Sequence, residues 1–542
     1  MTAHDSALPV TTSTQVRQSL LDRSEIALLD VREEDPFARA HPLFAANLPA
    51  GRVEIDALTR IPRLATPVVV YDDDEGLAEP AARALQALGY TQVSLLQGGL
   101  QGWRDAGGEI FIDVNVPSKS FGELVEADRH TPSLTAQEVK ALIDQQADVV
   151  VLDARRFDEY QTMSIPTGTS VPGAELVLRA TALAPDPATR IIVNCAGRTR
   201  SIIGTQSLVN AGVPNPVAAL RNGTIGWLLA GQTLEHGADR RGGPVSEEQR
   251  AAAADRARQV ADRAGVRRAT AADLARFDVE AAGTTTYRFD VRTPEEYAAG
   301  HRPGFRSTPG GQLVQETDHS APVRGARIVL TDEGDGVRAN MSASWLAQMG
   351  WDVWVLDEGD ADSATETGDP APQVPEPAGP IQWISPQQLQ TWLQVGDTAL
   401  LDLTSSANYV QRHIPGAWWA LRSQLAQAVG TVQAAAEQAG QPPRRYVLTC
   451  GSSFLARYAA AKLARITGAE VAVLKGGTLA WIAEGLPVEP GETQLASPRI
   501  DRYRRPYEGT SAPRAAMQAY LDWEYGLVDQ LARDGTHHFR VL

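Results

Sequence analysis

Short apolar runs alternate along the chain with longer stretches in which apolar positions recur every three to four residues. VVLDA (150–154), IIVNC (191–195) and PVAAL (216–220) have the length and Val/Ile/Leu content of buried strands, whereas TAQEVKALIDQQ (135–146) and SIIGTQSLVNAG (201–212) carry helical spacing. Strands alternating with helices point to α/β units built on mostly parallel sheets. The Ala-rich stretch 246–265 consists of good helix formers and reads as a helical connector. The stretch 361–380 is acidic and Pro-rich, a mobile linker with too little apolar surface to order itself. In the tail, 491–542, residues 512–535 read as an amphipathic helix packed on the body.

This pattern occurs four times. LLDVREEDPF (28–37), VLDARRFDEY (151–160) and FDVRTPEEYA (289–298) each close an apolar run with Asp-x-Arg followed by acids and an aromatic, and LLDLTSSANY (400–409) is a weaker copy in which Thr404 replaces the Arg. A second strand-like run ends at Asp72, Cys195, Asp332 and Cys450 (VVVYD, IIVNC, IVLTD, YVLTC). Both cysteines therefore stand at one repeat position, which Asp fills in the other two copies. Further on come LQGG (96–99), LRNG (220–223), LDEG (356–359) and LKGG (474–477), followed by Trp103, Trp227 and Trp481; the third copy has no such Trp. SVPGAELV (170–177) and STPGGQLV (307–314) keep the same offset as Asp153 to Asp290. The repeats give four domains, 10–112, 130–238, 268–360 and 381–490, in keeping with 542 residues at roughly 150 per domain.

Composition narrows the function classes. A net charge of −16 repels a phosphate backbone, so nucleic acid is a poor partner. No apolar run approaches the ~20 residues of a membrane span, and the first thirty residues carry no secretory signal. Two cysteines are too few for a disulfide framework in a chain this long, and a cytoplasmic setting is expected.

The motifs are similar to those of the rhodanese-like sulfurtransferases: the Asp-x-Arg strand end, the Pro-Gly turns RHIPGA (412–417) and HRPGF (301–305), the loops NCAGRTRS (194–201) and CGSSFLA (450–456), and the Gly-Gly-x3-Trp close. The resemblance covers nearly the whole chain and implies four tandem rhodanese-like α/β domains, with Cys195 and Cys450 as catalytic nucleophiles and the Asp72 and Asp332 domains inactive. It also suggests two pairs in series, Asp72 with Cys195 and Asp332 with Cys450.

A cysteine attacks sulfur as thiolate, so the site must favour the charged form of a thiol whose ordinary pKa is about 8.5. A loop between a strand end and a helix start does so with convergent N–H groups and the positive helix end. The expected binding residues are Ala196, Gly197, Arg198, Thr199, Arg200 and Arg221 around Cys195, and Gly451, Ser452, Ser453 and Lys475 around Cys450. Arg198, Arg200, Arg221 and Lys475 supply cations for a dianionic donor, and a cation follows the Leu of LRNG and LKGG only in the Cys-bearing copies. The Asp-x-Arg pairs and the turn residues His301 and His413 read as structural. A carboxylate at the cysteine position would occupy the loop with its own charge.

The expected reaction is a double displacement: sulfur passes from a donor such as thiosulfate to Cys195, then to a thiol, cyanide or protein acceptor, while a mercaptopyruvate-like keto-acid thiol donor is expected to favour Cys450. No metal or organic cofactor is needed. A phosphatase of this fold needs Cys-x5-Arg, but Ser201 and Ala456 stand six residues after the cysteines. The remaining alternative is a sulfur-carrier or scaffold module with little turnover.

Overall fold

The computed structural model describes residues 7–357, 366–368, 374–377, 379–509 and 511–542. The expected linker 361–380 lies partly outside them, and Gly359 lies outside them. Four five-stranded sheets follow one another, each fully parallel and flanked by helices. In the first the spatial order is Val10–Thr11, Val93–Leu96, Val68–Tyr71, Ala27–Asp30, Ala45–Asn47, and the other three repeat that topology.

Register explains why the motifs keep their spacing. The Asp of each Asp-x-Arg motif pairs across two adjacent strands with the residue just before the repeat's Asp or Cys: Asp30 with Tyr71, Asp153 with Asn194, Asp290 with Thr331, Asp402 with Thr449. Arg32, Arg155 and Arg292 fold back onto Asp30, Asp153 and Asp290, and each also donates to the carbonyl eight residues on, of Ala40, Met163 and Gly300. They brace the strand end, as expected of a structural pair. His301 and His413 stack on Tyr297 and Tyr409 with ring centroids 3.7 and 3.8 Å apart, fixing the turns. Trp103, Trp227 and Trp481 are buried, each indole donating to the carbonyl six residues later.

The last glycine of the LxxG element has a steric reason. A Cβ on Gly223 would lie 2.3 Å from the Cys195 carbonyl oxygen, and one on Gly477 would lie 2.2 Å from that of Cys450. The following amides, of Thr224 and Thr478, donate to those carbonyls at 2.9 Å, and Leu100 does the same to Asp72. The glycine thus lets the LxxG turn dock under the loop that carries the chemistry.

The domains do not pair in series. The Pro-Gly segments of the second and third copies face each other, with Gly311 against Gly173 and Arg338 beside Glu175, and the Trp345 indole donates to Ser207. The connector helix Glu247–Ala264, capped by Ser246 and Gly265, lays its Ala face against helices of both domains and ties them together. The equivalent segments of the first and fourth copies also meet: Arg422 donates to the Gly51 carbonyl and pairs with Glu54, and Ser423 donates to Glu33. Each Cys-bearing domain therefore faces an Asp-bearing one, but the pairs are Cys195 with Asp332 and Cys450 with Asp72. The first and third domains share a core in addition. The tail, expected as one helix, forms two, Arg514–Tyr525 and Leu527–Asp534, and a helix not anticipated from the sequence, Val116–Arg129, joins the first two domains. No helix among the described residues is long and apolar enough to cross a membrane.

Candidate active sites

The Asp-bearing loops show what this position holds. In the first domain Asp72 Oδ2 accepts from the amides of Leu77 and Ala78 at 2.5 and 3.0 Å. In the third, Asp332 accepts from the amides of Gly334, Gly336 and Ala339 at 3.0–3.3 Å. The loop is an anion cradle, and in these two copies a carboxylate of the chain itself occupies it.

In the second domain Cys195 ends the strand Arg190–Asn194 and the helix Thr199–Asn210 begins four residues later, so the positive helix end sits close to the thiol. Cys195 is 1% exposed and its Sγ lies 3.4 Å from Ser201 Oγ, to which it donates. Burial pushes the thiol up from its ordinary value; the Arg200 charge and the Ser201 hydroxyl and amide pull it down, and Glu524 pushes it up further. The expected loop effects therefore operate, but with the tail covering the loop, burial outweighs them.

The candidate cations divide sharply. Arg200 acts on the thiol, and its guanidinium is held by Glu159 at 2.7 and 2.9 Å. Glu159 is half-buried, and Arg200 keeps its carboxylate down at about 2. Arg200 also lines a cavity of about 300 Å³ in which Arg156, Arg502 and Arg505 stand among Asp158, Glu159, Glu316 and Glu508. Arg198 turns the other way: it is buried, pairs with Glu123 and Glu126 on the helix Val116–Arg129, and bonds Asn222 and the Tyr525 hydroxyl. Arg221 is exposed, with its side chain on Ser133 Oγ at 3.1 and 3.2 Å. Neither is brought to the thiol; both secure the back of the loop. Thr199 packs on Gly122, and Ala196 and Gly197 lie beneath the tail, with Ala196 in one apolar cluster with Tyr507, Met517, Tyr520 and Leu521.

In the fourth domain the strand Arg445–Thr449 leads to Cys450, but a 3-10 turn, Ala456–Tyr458, intervenes and the helix Ala460–Thr467 starts only ten residues on. Burial again pushes the thiol up. The amides of Ala456, Leu455 and Ser452 oppose that push, and Asp402 adds to it. Ser453 sits at φ +72°, buried, with its hydroxyl on the Leu474 carbonyl; Ser452 and Lys475 are exposed, and Gly451 lies at the mouth of the loop. Because Thr404 replaces the Arg of the motif, Asp402 is buried with Oδ2 lacking a hydrogen bond, and burial raises it to about 6 despite the Thr404 amide. Arg52, from the first domain, has a weak charge interaction with Cys450.

Sequence reasoning missed Arg52, Glu524, Tyr520 and Tyr507, because each reaches its loop from another part of the chain. The amphipathic pattern of the tail was the one signal, and it did not say which surface the tail covers. Among the described residues no cluster of His, Cys, Asp and Glu could hold a metal ion.

The model of the Rhodanese-like domain matches residues 13–106, 135–230, 277–361 and 385–484. A crystal structure of thiosulfate sulfurtransferase from Pseudomonas aeruginosa is 65% identical, covers 99% of this chain and 100% of that one, and superposes with a TM-score of 0.95. Smaller solved structures also match: a protein of Bacillus halodurans, 23% identical over 21% of this chain and 90% of that one, and the rhodanese-like domain of an Anabaena protein, 23% identical over 21% and 92%, both with TM-score 0.18. Among curated proteins no sequence matches the chain. With four domain matches along its length and a relative of the same extent, the chain belongs to the rhodanese family, as four rhodanese-like domains in tandem.

Proposed function

We propose that the chain is a sulfurtransferase that carries sulfur as a persulfide on Cys195. The observation that carries this reading is the shared loop: where Asp72 and Asp332 place a carboxylate among converging amides, the second domain has a thiol at the start of a helix, beside the one loop arginine that acts on it. Such a loop suits a thiolate first and a terminal persulfide anion afterwards. The full-length relative named for thiosulfate supports that donor class.

In the donor step the Cys195 thiolate attacks the outer sulfur of thiosulfate, the S–S bond breaks, and sulfite leaves with the electron pair. Arg200, which acts on the thiol, balances the negative charge as sulfur moves. In the second step an acceptor such as cyanide, a thiol or a protein thiol takes the outer sulfur, and the Cys195 thiolate returns. Ala196, Gly197 and Thr199 shape the cradle. Cys450, with Gly451, Ser452, Ser453 and Lys475, is the second site, with a different donor preference. Two unpaired cysteines support a reducing, cytoplasmic setting. A thiosulfate:cyanide assay tests the assignment: Cys195→Ser should fold and lose the activity, and a folded variant that keeps most of it would refute the reading.

A further inference from the structure

Outside the four domains, the helix Arg514–Tyr525 forms the roof of the Cys195 loop. A methyl group placed on Gly197 would lie 3.2 Å from the Tyr520 ring and 3.4 Å from Glu524 Oε2. Glu524 is completely buried; its Oε1 accepts from the Tyr520 hydroxyl at 2.8 Å, while Oε2 has no hydrogen-bond partner. A buried carboxyl oxygen with nothing to bond, next to the loop that carries the nucleophile, is costly unless it serves a purpose there.

We propose that Glu524 is a proton-exchanging residue of the Cys195 site, acting on the outer sulfur of the persulfide during its transfer to a thiol acceptor. This rests on the reading of Cys195 as the sulfur carrier. In the step, the Glu524 carboxylic acid gives its proton to the terminal sulfur of Cys195–S–S⁻, making Cys195–S–SH. An acceptor thiolate RS⁻ then attacks that sulfur. The S–S bond to Cys195 breaks with its electron pair returning to Sγ, and the RS–SH formed hands its proton back to the Glu524 carboxylate and leaves as RS–S⁻. Protonation removes the negative charge that would repel an incoming thiolate.

The surroundings keep the proton in place near neutral pH. Glu524 is raised to about 8, by burial first and then by Glu123, against the pull of Lys119, Tyr520 and Arg198. From the helix Val116–Arg129, Lys119 faces it, paired to Asp113 and enclosed by the rings of Tyr507, Tyr520 and Trp523 at 5.2–5.5 Å, together with Glu123. From the loop come Arg198, tied to Glu123 and Glu126, along with Arg200 and Cys195; from the tail come Tyr507 and Tyr520. The chain thus offers Glu524 one buried lysine already committed to a carboxylate, and places a second acid beside it.

The test separates loading from release. Full-length protein is loaded with thiosulfate, freed of excess donor, checked by intact mass for one added sulfur, and mixed with 2-mercaptoethanol in single turnover across a pH series. Release, expressed per thiolate form of the acceptor, should fall in the wild type as pH rises through about 8. Glu524→Gln should load normally but release at least about tenfold more slowly below that pH, with no such fall. Tyr520→Phe removes a bond that favours the carboxylate and should move the fall to higher pH. If Glu524→Gln does not load, the Tyr520→Phe shift decides. Wild-type release and pH dependence in Glu524→Gln, or an unmoved profile in Tyr520→Phe, would overturn the proposal. Failure of the wild type itself to take up sulfur would instead remove the reading on which it rests.

Discussion

The second and fourth domains place a cysteine at the same point of the same sheet and yet build different sites around it. Cys195 stands four residues before a helix, feels Arg200 from its own loop, and is roofed by the tail. Cys450 stands farther from its helix and relies on three loop amides, with only a weak charge interaction from Arg52 of the domain opposite. It also lies near Asp402, a carboxyl left without the arginine that neutralises its counterparts. The fold supplies the cradle; what packs over the loop sets its electrostatics.

The largest expected effect separates the two thiols outright. Cys195→Ser should cut thiosulfate:cyanide turnover by ~10²-fold or more, while Cys450→Ser leaves most of it, as steady-state assays on both variants will show. Next comes Arg200→Ala. Removing the cation that favours the thiolate should raise the Cys195 thiol further, slow loading from thiosulfate on the order of tenfold near neutral pH, and move the loading profile to higher pH. Stopped-flow loading across pH would show a parallel curve, unshifted, if Arg200 served only to hold Glu159.

A smaller effect probes the cross-domain contact. Arg52→Ala should slow alkylation of Cys450 by iodoacetamide a few-fold, roughly what one exposed charge contributes, while leaving Cys195 unchanged. Equal rates before and after would mean that the first domain does not tune the fourth. The smallest concerns Asp402. Its value of about 6 in the folded protein exceeds the ordinary 3.8, so the folded state keeps a proton that the unfolded chain releases, and stability declines as pH rises from about 4 through 6. Asp402→Asn should therefore stabilise the fold at pH 8 by on the order of 1 kcal/mol, read as a higher melting temperature, and lose that advantage near pH 4. A gain of the same size at both pH values would trace it to packing instead.

The four-fold repeat, the α/β class and the cradle position were legible in the sequence, because each rests on local spacing: Asp30 with Tyr71 and Asp153 with Asn194 are register partners, and register fixes distance along the chain. The sorting of cations was not. Arg198, Arg200 and Arg221 all lie near the cysteine in sequence, yet only Arg200 acts on the thiol, since Glu123 and Glu126 claim Arg198 and Ser133 holds Arg221. Those partners sit on the helix Val116–Arg129 and on an edge strand, and no spacing rule links them to the loop. Domain pairing escaped for the same reason. The repeat order suggests neighbours in series, whereas the segments that follow the edge strand Ala45–Asn47 and its equivalents match the second domain to the third and the first to the fourth.

On this reading Cys195, with its loop cation and helix start, is the thiol that takes sulfur from thiosulfate. Intact-mass and peptide-level mass spectrometry after brief exposure of the full-length protein to thiosulfate tests it most directly. One added sulfur is expected, carried on the peptide containing Cys195 and absent from Cys195→Ser. Sulfur found on Cys450 alone, or on neither cysteine while turnover proceeds, would contradict it.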